Sequence, residues 1–375
     1  MSGLRRIATA ASDGAAFVAR TVVAPPGDAL LPVPAGLAAR SALFLATPQN
    51  LAATIENAIL LHQHMGLQVV VAGVDRTVPH AAASGVSQLW MDAPMKIGRS
   101  TLLADSDPPP AVRESDGIHP VGAKVPWRSA AGSLCLDVAG HRIDLELANT
   151  AFATSTLTTL FYFQKRDAAA TSAGDHMGQT LSALHVTLPR LAPALRAPVA
   201  HDRWTPLTDS EHLVVSGCTG NLVKAINGQP AARFLEQNAR LMREASKDTK
   251  VYVKVYGAGA GAAAPPARHE VIAGGGGWGA KAGLLALSPG AHVRTGDRVE
   301  FFMVTPADRF RRLAAAVAPR QFLFECAPEA TQYADLAGAS RTVEHLFGAS
   351  SEAGFVADGL SHTSAGETLS FAFGP

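Results

Sequence analysis

The sequence is short of several residue types that mark common classes of protein. Its 375 residues include three cysteines, Cys135, Cys218 and Cys326, which lie far apart and form no Cys-x-x-Cys pair. This number and spacing indicate neither a disulfide framework nor a cysteine-based zinc site, and they fit a reducing compartment. Aromatic residues make up 6% of the chain, so its core must be built largely from Ala, Val and Leu.

An excess of one charge and long apolar runs are also absent. The formal net charge is +1, which gives no electrostatic footprint for nucleic acid or for an anionic membrane. No apolar run approaches the ~18–20 residues of a transmembrane helix. What the chain does have is 47% apolar residues, enough to build the core of two domains or of one large bipartite domain.

The first 40 residues are rich in alanine and poor in acids. Four arginines stand against two aspartates, with no lysine or glutamate. This composition is typical of a mitochondrial transit peptide, whereas four prolines between positions 25 and 34 equally suit a disordered tail. We therefore predict a leader over residues 1–40, with a mitochondrial location and a cytoplasmic one as the alternative.

Residues 41–74 predict a strand, a helix and a second strand. Ser41–Ala46 is a short apolar run, Leu51–Met65 has helical spacing, and Leu67–Val74 is rich in valine. Periodicity predicts further strands at 86–91, 134–138, 143–147, 157–163 and 321–326, and a helix at 308–317.

Residues 214–242 predict a strand, a tight turn and a helix. The β-rich run ends at Ile226, and Asn227-Gly228 supplies the turn because both residues tolerate a positive φ. Pro230 is suited to a first helical turn. One helix face then follows from apolar residues at three- and four-residue steps, namely Ala232, Leu235, Ala239 and Met242.

The motif VKAINGQPAARFLEQ, at 223–237, resembles the junction between the two halves of FIST-domain proteins (F-box and intracellular signal transduction). LANTAF and STL, at 147–152 and 155–157, resemble fungal FIST-like proteins. The resemblance extends over residues 41–375. In the C-terminal half it rests on a strand ending in a cysteine and on short motifs after it, namely Phe322–Cys326, Gly354-Phe355, Gly359, His362 and Thr368-Leu369.

The resemblance implies an α/β (or α+β) fold of two related halves, each a β-sheet packed with helices. The FIST N-terminal domain would be 41–228 and the C-terminal domain 229–375, with a Gly/Ala-rich insertion at 257–267. It further implies a non-catalytic sensory module in signal transduction, which binds a small metabolite such as an amino acid or a protein partner. No F-box helices precede the FIST region, so a ubiquitin-ligase role is not expected.

Two departures from the FIST pattern concern the ligand. Ala327-Pro328-Glu329 follows Cys326 where the family usually has Gly and Arg, and Leu360 stands where it usually has Glu. If these positions line the ligand pocket in relatives, we expect this chain to bind a different ligand or none. The ligand-binding candidates are Asn149, Thr150, Gly275, Gly276, Gly277, Trp278, Cys326 and Glu352.

A glycine run is the sharpest local motif. Gly274–Gly279 satisfies G-x-G-x-x-G after a predicted strand, and Asp297 or Glu300 lies about 20 residues further on, as a dinucleotide site requires. Three interpretations stay open: a nucleotide loop, a loop for another ligand, or a tight backbone approach anchored by Trp278. The bulk of that tryptophan and the late position in the chain disfavour the nucleotide.

A cysteine-dependent enzyme is the other alternative. Cys218 lies in Ser-Gly-Cys-Thr-Gly after a predicted strand, and His201 or His212 would have to act as its base. Cys326 is either a pocket thiol or a buried core residue. The sequence contains no complete catalytic set and its histidines are scattered, so we predict no metal site and no cofactor.

Overall fold

The computed structural model of the protein describes these residues: 14–23, 32–78, 84–103, 132–165, 176–207, 213–258, 266–274, 283–307, 320–326 and 341–374. Within them, 51% of the residues lie in strands and 13% in helices. The predicted mixture of α and β elements is therefore confirmed only coarsely, because sheets dominate. No helix among the described residues combines the length and the apolar character needed to cross a membrane.

The strands of the first half of the chain are β1 (Ala15–Val23), β2 (Ser41–Ala46), β3 (Gln68–Gly73), β4 (Gly85–Met91), β5 (Lys96–Leu102), β6 (Ser133–Val138), β7 (His141–Glu146), β8 (Leu160–Phe163), β9 (Leu181–Thr187), β10 (Leu191–Ala192) and β11 (Val199–His201). The helices are a 3₁₀ turn at Pro48–Asn50, α1 (Leu51–Met65), α2 (Ala151–Thr154), α3 (Arg233–Glu236) and α4 (Ala239–Glu244).

The remaining strands are β12 (Thr205–Pro206), β13 (Leu213–Thr219), β14 (Leu222–Ile226), β15 (Gln229–Pro230), β16 (Lys250–Tyr256), β17 (Ala267–Gly274), β18 (Leu285–Leu287), β19 (Arg298–Val304), β20 (Gln321–Cys326), β21 (Arg341–Glu344), β22 (Leu346–Ser351), β23 (Phe355–Ala357), β24 (Leu360–His362) and β25 (Thr368–Ala372).

The chain forms two compact units. Unit 1 contains Met1–Ala200, Leu313–Asp358 and Thr368–Pro375, and unit 2 contains His201–Arg312 and Gly359–Glu367. The predicted boundary at 228 falls inside unit 2, between β14 and β15, which pair with each other. The compact units thus do not coincide with the predicted halves, and the division into FIST domains stays a prediction.

Unit 1 is built from three sheets around a shared apolar core. One sheet has the order β10-β1-β4-β2-β3-β8, with β21 beside β1, and a second has the order β11-β25-β20-β22. A third runs β23-β7-β6-β9-β5. The strands β2 and β3 are parallel and joined by α1, and β20 and β22 are also parallel. All four are buried along their whole length, as the apolar runs of β2, β3 and β20 indicate, and β22 is buried although it ends in two serines.

Unit 2 is a sheet that closes on itself. Its order is β19-β13-β14-β18-β17-β16, and β16 pairs again with β19. The alternating burial of β13, with Leu213 and Val215 buried and Val214 exposed, places one face of the strand inside the closed sheet. A compact apolar cluster that includes Phe301 and Ile226 fills this interior.

Most of the predicted strands are confirmed, together with α1. The prediction of a disordered tail over residues 1–40 is wrong for Ala15–Val23, which form β1 between β4 and β21. Sequence composition missed this strand because its apolar residues lie among arginines and alanines. A cleaved leader would have to end before Ala15, and the mitochondrial location stays a prediction.

The single helix predicted after Pro230 is also wrong. Pro230 lies in β15, and two short helices follow, α3 and α4, with a break at Gln237-Asn238. Asn238 adopts an extended conformation and its Oδ1 accepts a hydrogen bond from the Leu241 amide at 2.8 Å, which starts a new helix. Ala232 is buried and Leu235 packs against the core of unit 2, as predicted, but in α4 Leu241 is buried and Met242 is 68% exposed, so the predicted apolar face does not continue past the break.

The Asn227-Gly228 turn is confirmed. Asn227 and Gly228 have φ of 48° and 75°, and the turn joins β14 to β15. The helix predicted at 308–317 and most of the insertion at 257–267 lie outside the described residues.

Candidate functional site

Two parallel strand pairs of unit 1, β2–β3 and β20–β22, meet at their carboxyl ends. The Arg76 amide donates to the Ser350 carbonyl at 3.2 Å, and the Ser350 amide donates to the Arg76 carbonyl at 3.0 Å. The chain leaving β3 is thus joined to the end of β22 by backbone bonds. Binding sites of sheets with parallel strands lie at such carboxyl ends, so this edge is the natural place to look for one.

Three charged residues lie at this junction. The Glu352 amide donates to Asp75 Oδ2 at 2.8 Å, and an Arg76 guanidinium nitrogen lies 3.4 Å from Glu352 Oε1. The Arg76 side chain is 11% exposed and that of Glu352 is 40% exposed. A largely buried cation is therefore held beside a carboxylate that faces water.

Burial raises the pKa of Asp75 to about 6, and the nearby Glu352 carboxylate acts in the same direction. Hydrogen bonds from the Glu352 amide and the Ser351 hydroxyl oppose this change, as does the charge of Arg76. A carboxyl group that titrates close to neutral pH can both accept and donate hydrogen bonds, which is a property of binding and catalytic sites.

A cluster of threonines lies next to the end of β3. Thr150 Oγ1 donates to the Thr156 carbonyl at 2.9 Å and lies 2.9 Å from Thr159 Oγ1. A Cβ added at Gly73, the last residue of β3, would lie 2.9 Å from Thr150 Cγ2. Gly73 therefore lets the threonine segment pack directly against the end of the strand.

Two serines end β22. Ser351 Oγ donates to the Glu146 carbonyl at 3.1 Å. Ser350 is fully buried, and its Oγ has no hydrogen-bond partner among the described residues. A buried hydroxyl without a partner carries a desolvation cost, so Ser350 is a candidate contact for a bound ligand.

The predicted site residues divide into three groups. Thr150, Cys326 and Glu352 lie at the strand ends just described. Cys326 faces Ser351 in the register of β20 and β22, Glu352 follows β22, and Thr150 packs against Gly73 at the end of β3. Asn149 uses its side chain to accept from the Ala151 amide at 3.0 Å, which opens α2. The residues Gly275, Gly276, Gly277 and Trp278, and with them the Gly274–Gly279 loop, lie at or beyond the edge of the described residues.

Sequence reasoning missed Asp75, Arg76 and Ser350. The available indication was position: Asp75-Arg76 is the first charged pair after the buried run of β3, where polar residues of a site are expected. The prediction of Glu352 used only its local sequence and could not reveal that it contacts residues 276 positions away.

The surroundings of the two cysteines proposed as nucleophiles do not favour catalysis. Cys218 Sγ is 3.2 Å from the Val293 carbonyl and 4.0 Å from Thr295 Oγ1, and neither group is a base. His212 lies outside the described residues. Cys326 is 1% exposed, which limits access of a substrate to its sulfur.

Unit 2 contains its own buried polar cluster. The Arg268 guanidinium forms ion pairs with Glu367 and, at 3.0 Å, with Asp202, and it lies 4.0 Å above the Trp204 ring. The Arg268 side chain is 9% exposed and that of Glu367 is 1% exposed. The ion pairs compensate the buried charges, which is typical of a structural network, although Arg268 Nε and Trp204 Nε1 have no hydrogen-bond partner among the described residues.

A further group of side chains lies on the third sheet of unit 1. One ligand-type atom from each of Cys135, Asp137 and His185 lies within 4.8 Å of the others. Burial raises the pKa of the Cys135 thiol to about 12, and its hydrogen bond to Asp144 and the charge of that group add to the effect. This environment disfavours a nucleophilic thiolate.

Comparisons of the chain with protein families, with curated proteins and with solved structures found no match. The FIST resemblance therefore rests on the sequence motifs alone and stays a prediction.

Proposed function

We propose that the protein is a non-catalytic, FIST-type ligand-binding module whose ligand is an α-amino acid or a similar zwitterion. The observation that carries the proposal is the arrangement of Arg76, Asp75 and Glu352 at the joined strand ends of unit 1. It places one cation and two carboxylates together, which is the charge pattern complementary to an ammonium and a carboxylate on one carbon.

Arg76 would bind the ligand carboxylate. Guanidinium groups bind carboxylates through two parallel hydrogen bonds, which are stronger when water is excluded. The contact of Arg76 with Glu352 is long, at 3.4 Å, and its partner is 40% exposed, so a ligand carboxylate can replace it at little cost. Burial of the guanidinium favours a partner that is better oriented than Glu352.

Asp75 and Glu352 would bind the ligand ammonium. Glu352 becomes available when the ligand carboxylate takes its place on Arg76, and a nearby ammonium would lower the pKa of Asp75 and keep it ionised. The buried Ser350 hydroxyl offers one further hydrogen bond at the same strand end. Each side chain then has a role that matches one group of the zwitterion.

A protein partner is the second candidate, supported by one observation. Phe152 in α2 is fully exposed, and Leu157 beyond it is 40% exposed. Exposed aromatic residues on a short loop are frequent anchors of protein interfaces. Substitution of Phe152 by Ala would weaken the binding of a protein partner and leave the binding of a small zwitterion unchanged.

The proposal is tested by thermal shift of the purified protein with each of the common amino acids. A ligand at about 100 times its Kd adds about 2.7 kcal/mol to the free energy of unfolding. Arg76→Gln should abolish the ligand-dependent shift. Arg240→Gln is the matched control, because Arg240 also has a carboxylate partner, at 3.3 Å, but lies in unit 2.

Three results would contradict the proposal. One is the absence of any shift with amino acids and related zwitterions at millimolar concentration. Another is a shift that Arg76→Gln leaves intact, provided that circular dichroism shows the variant to be folded. A shift that both arginine variants lose to the same extent would also argue against this site.

A further inference from the structure

Three metal-ligating side chains are brought together by the register of two neighbouring strands. Cys135 and Asp137 are two residues apart on β6 and therefore lie on the same face of the sheet. His185 on β9 is directly opposite Cys135 in the parallel pair. His185 Nε2 lies 2.7 Å from Asp137 Oδ2, and the three groups lie within 4.8 Å of one another.

The backbone that carries this group is firmly held. The alternate residues of both strands, among them Leu134 and Leu184, point to the other face and are buried in the core of unit 1. Asp137 and His185 are each about one-third exposed at the side chain, so water and ions have access. The backbone of the site is thus held by the core, and its side chains are accessible to water, which suits a metal centre with a solvent ligand.

We propose that Cys135, Asp137 and His185 bind a divalent transition metal ion, with Zn²⁺ as the best fit and water as a fourth ligand. Sulfur, imidazole nitrogen and carboxylate oxygen are the three ligand types that Zn²⁺ takes in proteins. Its bond lengths in tetrahedral geometry place neighbouring ligand atoms about 3.3 to 3.6 Å apart. The observed separations lie on both sides of these values, from 2.7 Å between His185 Nε2 and Asp137 Oδ2 to a limit of 4.8 Å for the group. The harder ions Mg²⁺ and Ca²⁺ are disfavoured by the sulfur and nitrogen ligands.

Binding has a defined proton balance. The Cys135 thiol would lose its proton to solvent as the sulfur–metal bond forms. The hydrogen that His185 Nε2 donates to Asp137 would move through solvent to Nδ1, which frees Nε2, and two metal bonds would replace the hydrogen bond between these side chains. Thr187 Oγ1 donates to Asp137 Oδ2 at 3.0 Å and would orient the carboxylate in the second shell.

Gly98 leaves the space that the imidazole occupies. A Cβ at Gly98 would lie 3.0 Å from His185 Nδ1, closer than an ordinary contact. Substitution of Gly98 by Ala should therefore turn the imidazole and weaken metal binding without removing a ligand.

The test is a titration of the full-length, chelator-treated protein with Co²⁺, followed by displacement with Zn²⁺. Thiolate coordination gives a sulfur-to-cobalt charge-transfer band in the near ultraviolet, and we expect a single ion per chain. Cys135→Ser should lose this band and His185→Ala should weaken binding strongly. Cys218→Ser is the matched control, because that thiol lies in unit 2 and should not affect the band.

Variants that retain all ligands guard against misfolding. Thr187→Val should weaken the affinity by about 10- to 100-fold with the same spectrum. A charge-transfer band that survives in Cys135→Ser, or the absence of any band at millimolar Co²⁺, would overturn the proposal. A band that depends on Cys135 but not on His185 or Asp137 would do so as well, since it would report a lone thiolate.

Discussion

The two compact units place their polar groups in opposite ways. Unit 2 closes its sheet, fills the interior with apolar side chains such as Phe301, and pairs its buried Arg268 with its buried Glu367. Unit 1 keeps open sheets in which the parallel pairs β2–β3 and β20–β22 end at one edge. There Arg76 lies beside Glu352, which is 40% exposed, and Ser350 Oγ has no hydrogen-bond partner among the described residues. The comparison indicates that the candidate site is identified by its position at the ends of strands. The number of buried polar groups does not identify it.

The largest expected effect tests the structural role of the polar cluster in unit 2. Arg268→Ala leaves the Glu367 carboxylate buried without its cation and should cost about 3–5 kcal/mol of stability. Urea unfolding at neutral pH measures this loss. The double variant Arg268→Met/Glu367→Leu removes both charges and should recover most of it. A cost of Arg268→Ala below about 1 kcal/mol would show that the contrast between the units is wrong.

The next largest effect is the pH dependence of stability that Asp75 in unit 1 contributes. Because the pKa of Asp75 is raised in the folded state to about 6 from 3.8, the folded protein holds this proton more tightly. Its contribution to stability is complete below about pH 4 and is lost as the pH rises through about 6, at most about 3 kcal/mol. Chemical unfolding between pH 4 and 7 measures the slope.

Asp75→Asn is the control for this slope. The amide cannot ionise, and its oxygen can still accept from the Glu352 amide. We expect the variant to lose the part of the pH dependence between pH 4 and 6. An unchanged slope would place the titration elsewhere and would remove one argument for the zwitterion site.

The smallest effect concerns the break between α3 and α4. Asn238→Ala removes the side chain that accepts from the Leu241 amide and should cost about 1 kcal/mol, as for other helix caps. The Asn238 side chain also donates to the Leu207 carbonyl, which adds to the loss. Thermal unfolding measures it. Greater stability after substitution by this strong helix former would favour the single helix that the sequence predicted.

Hydrophobic periodicity was sufficient to predict the elements that are held mainly by burial. The continuous apolar runs of β2, β3 and β20 and the helical spacing of α1 identify elements that are held by burial. It failed at Ala15–Val23, because the pairing partners of this strand come from β4 and β21, more than 60 residues away. It failed again after Pro230, where the Asn238 cap overrides the apolar spacing.

The candidate site was predictable only in part. Thr150, Cys326 and Glu352 were named from motifs, and the fold places all three along one group of strand ends. Their partners Asp75 and Arg76 carry no motif, and their meaning depends on contacts with residues 350–352. The metal site that we propose was not predicted, because Cys135 and His185 are 50 residues apart in the chain.

The sequence by itself determined the buried strands with continuous apolar runs, β2, β3 and β20 among them, and where the Asn227-Gly228 turn lies, because hydrophobic period and local φ preference act over a few residues. Only the tertiary structure decided that Asp75 meets Glu352 and that His185 faces Cys135. Strand register sets these neighbours, and register is fixed by the packing of whole sheets instead of by any local run of residues.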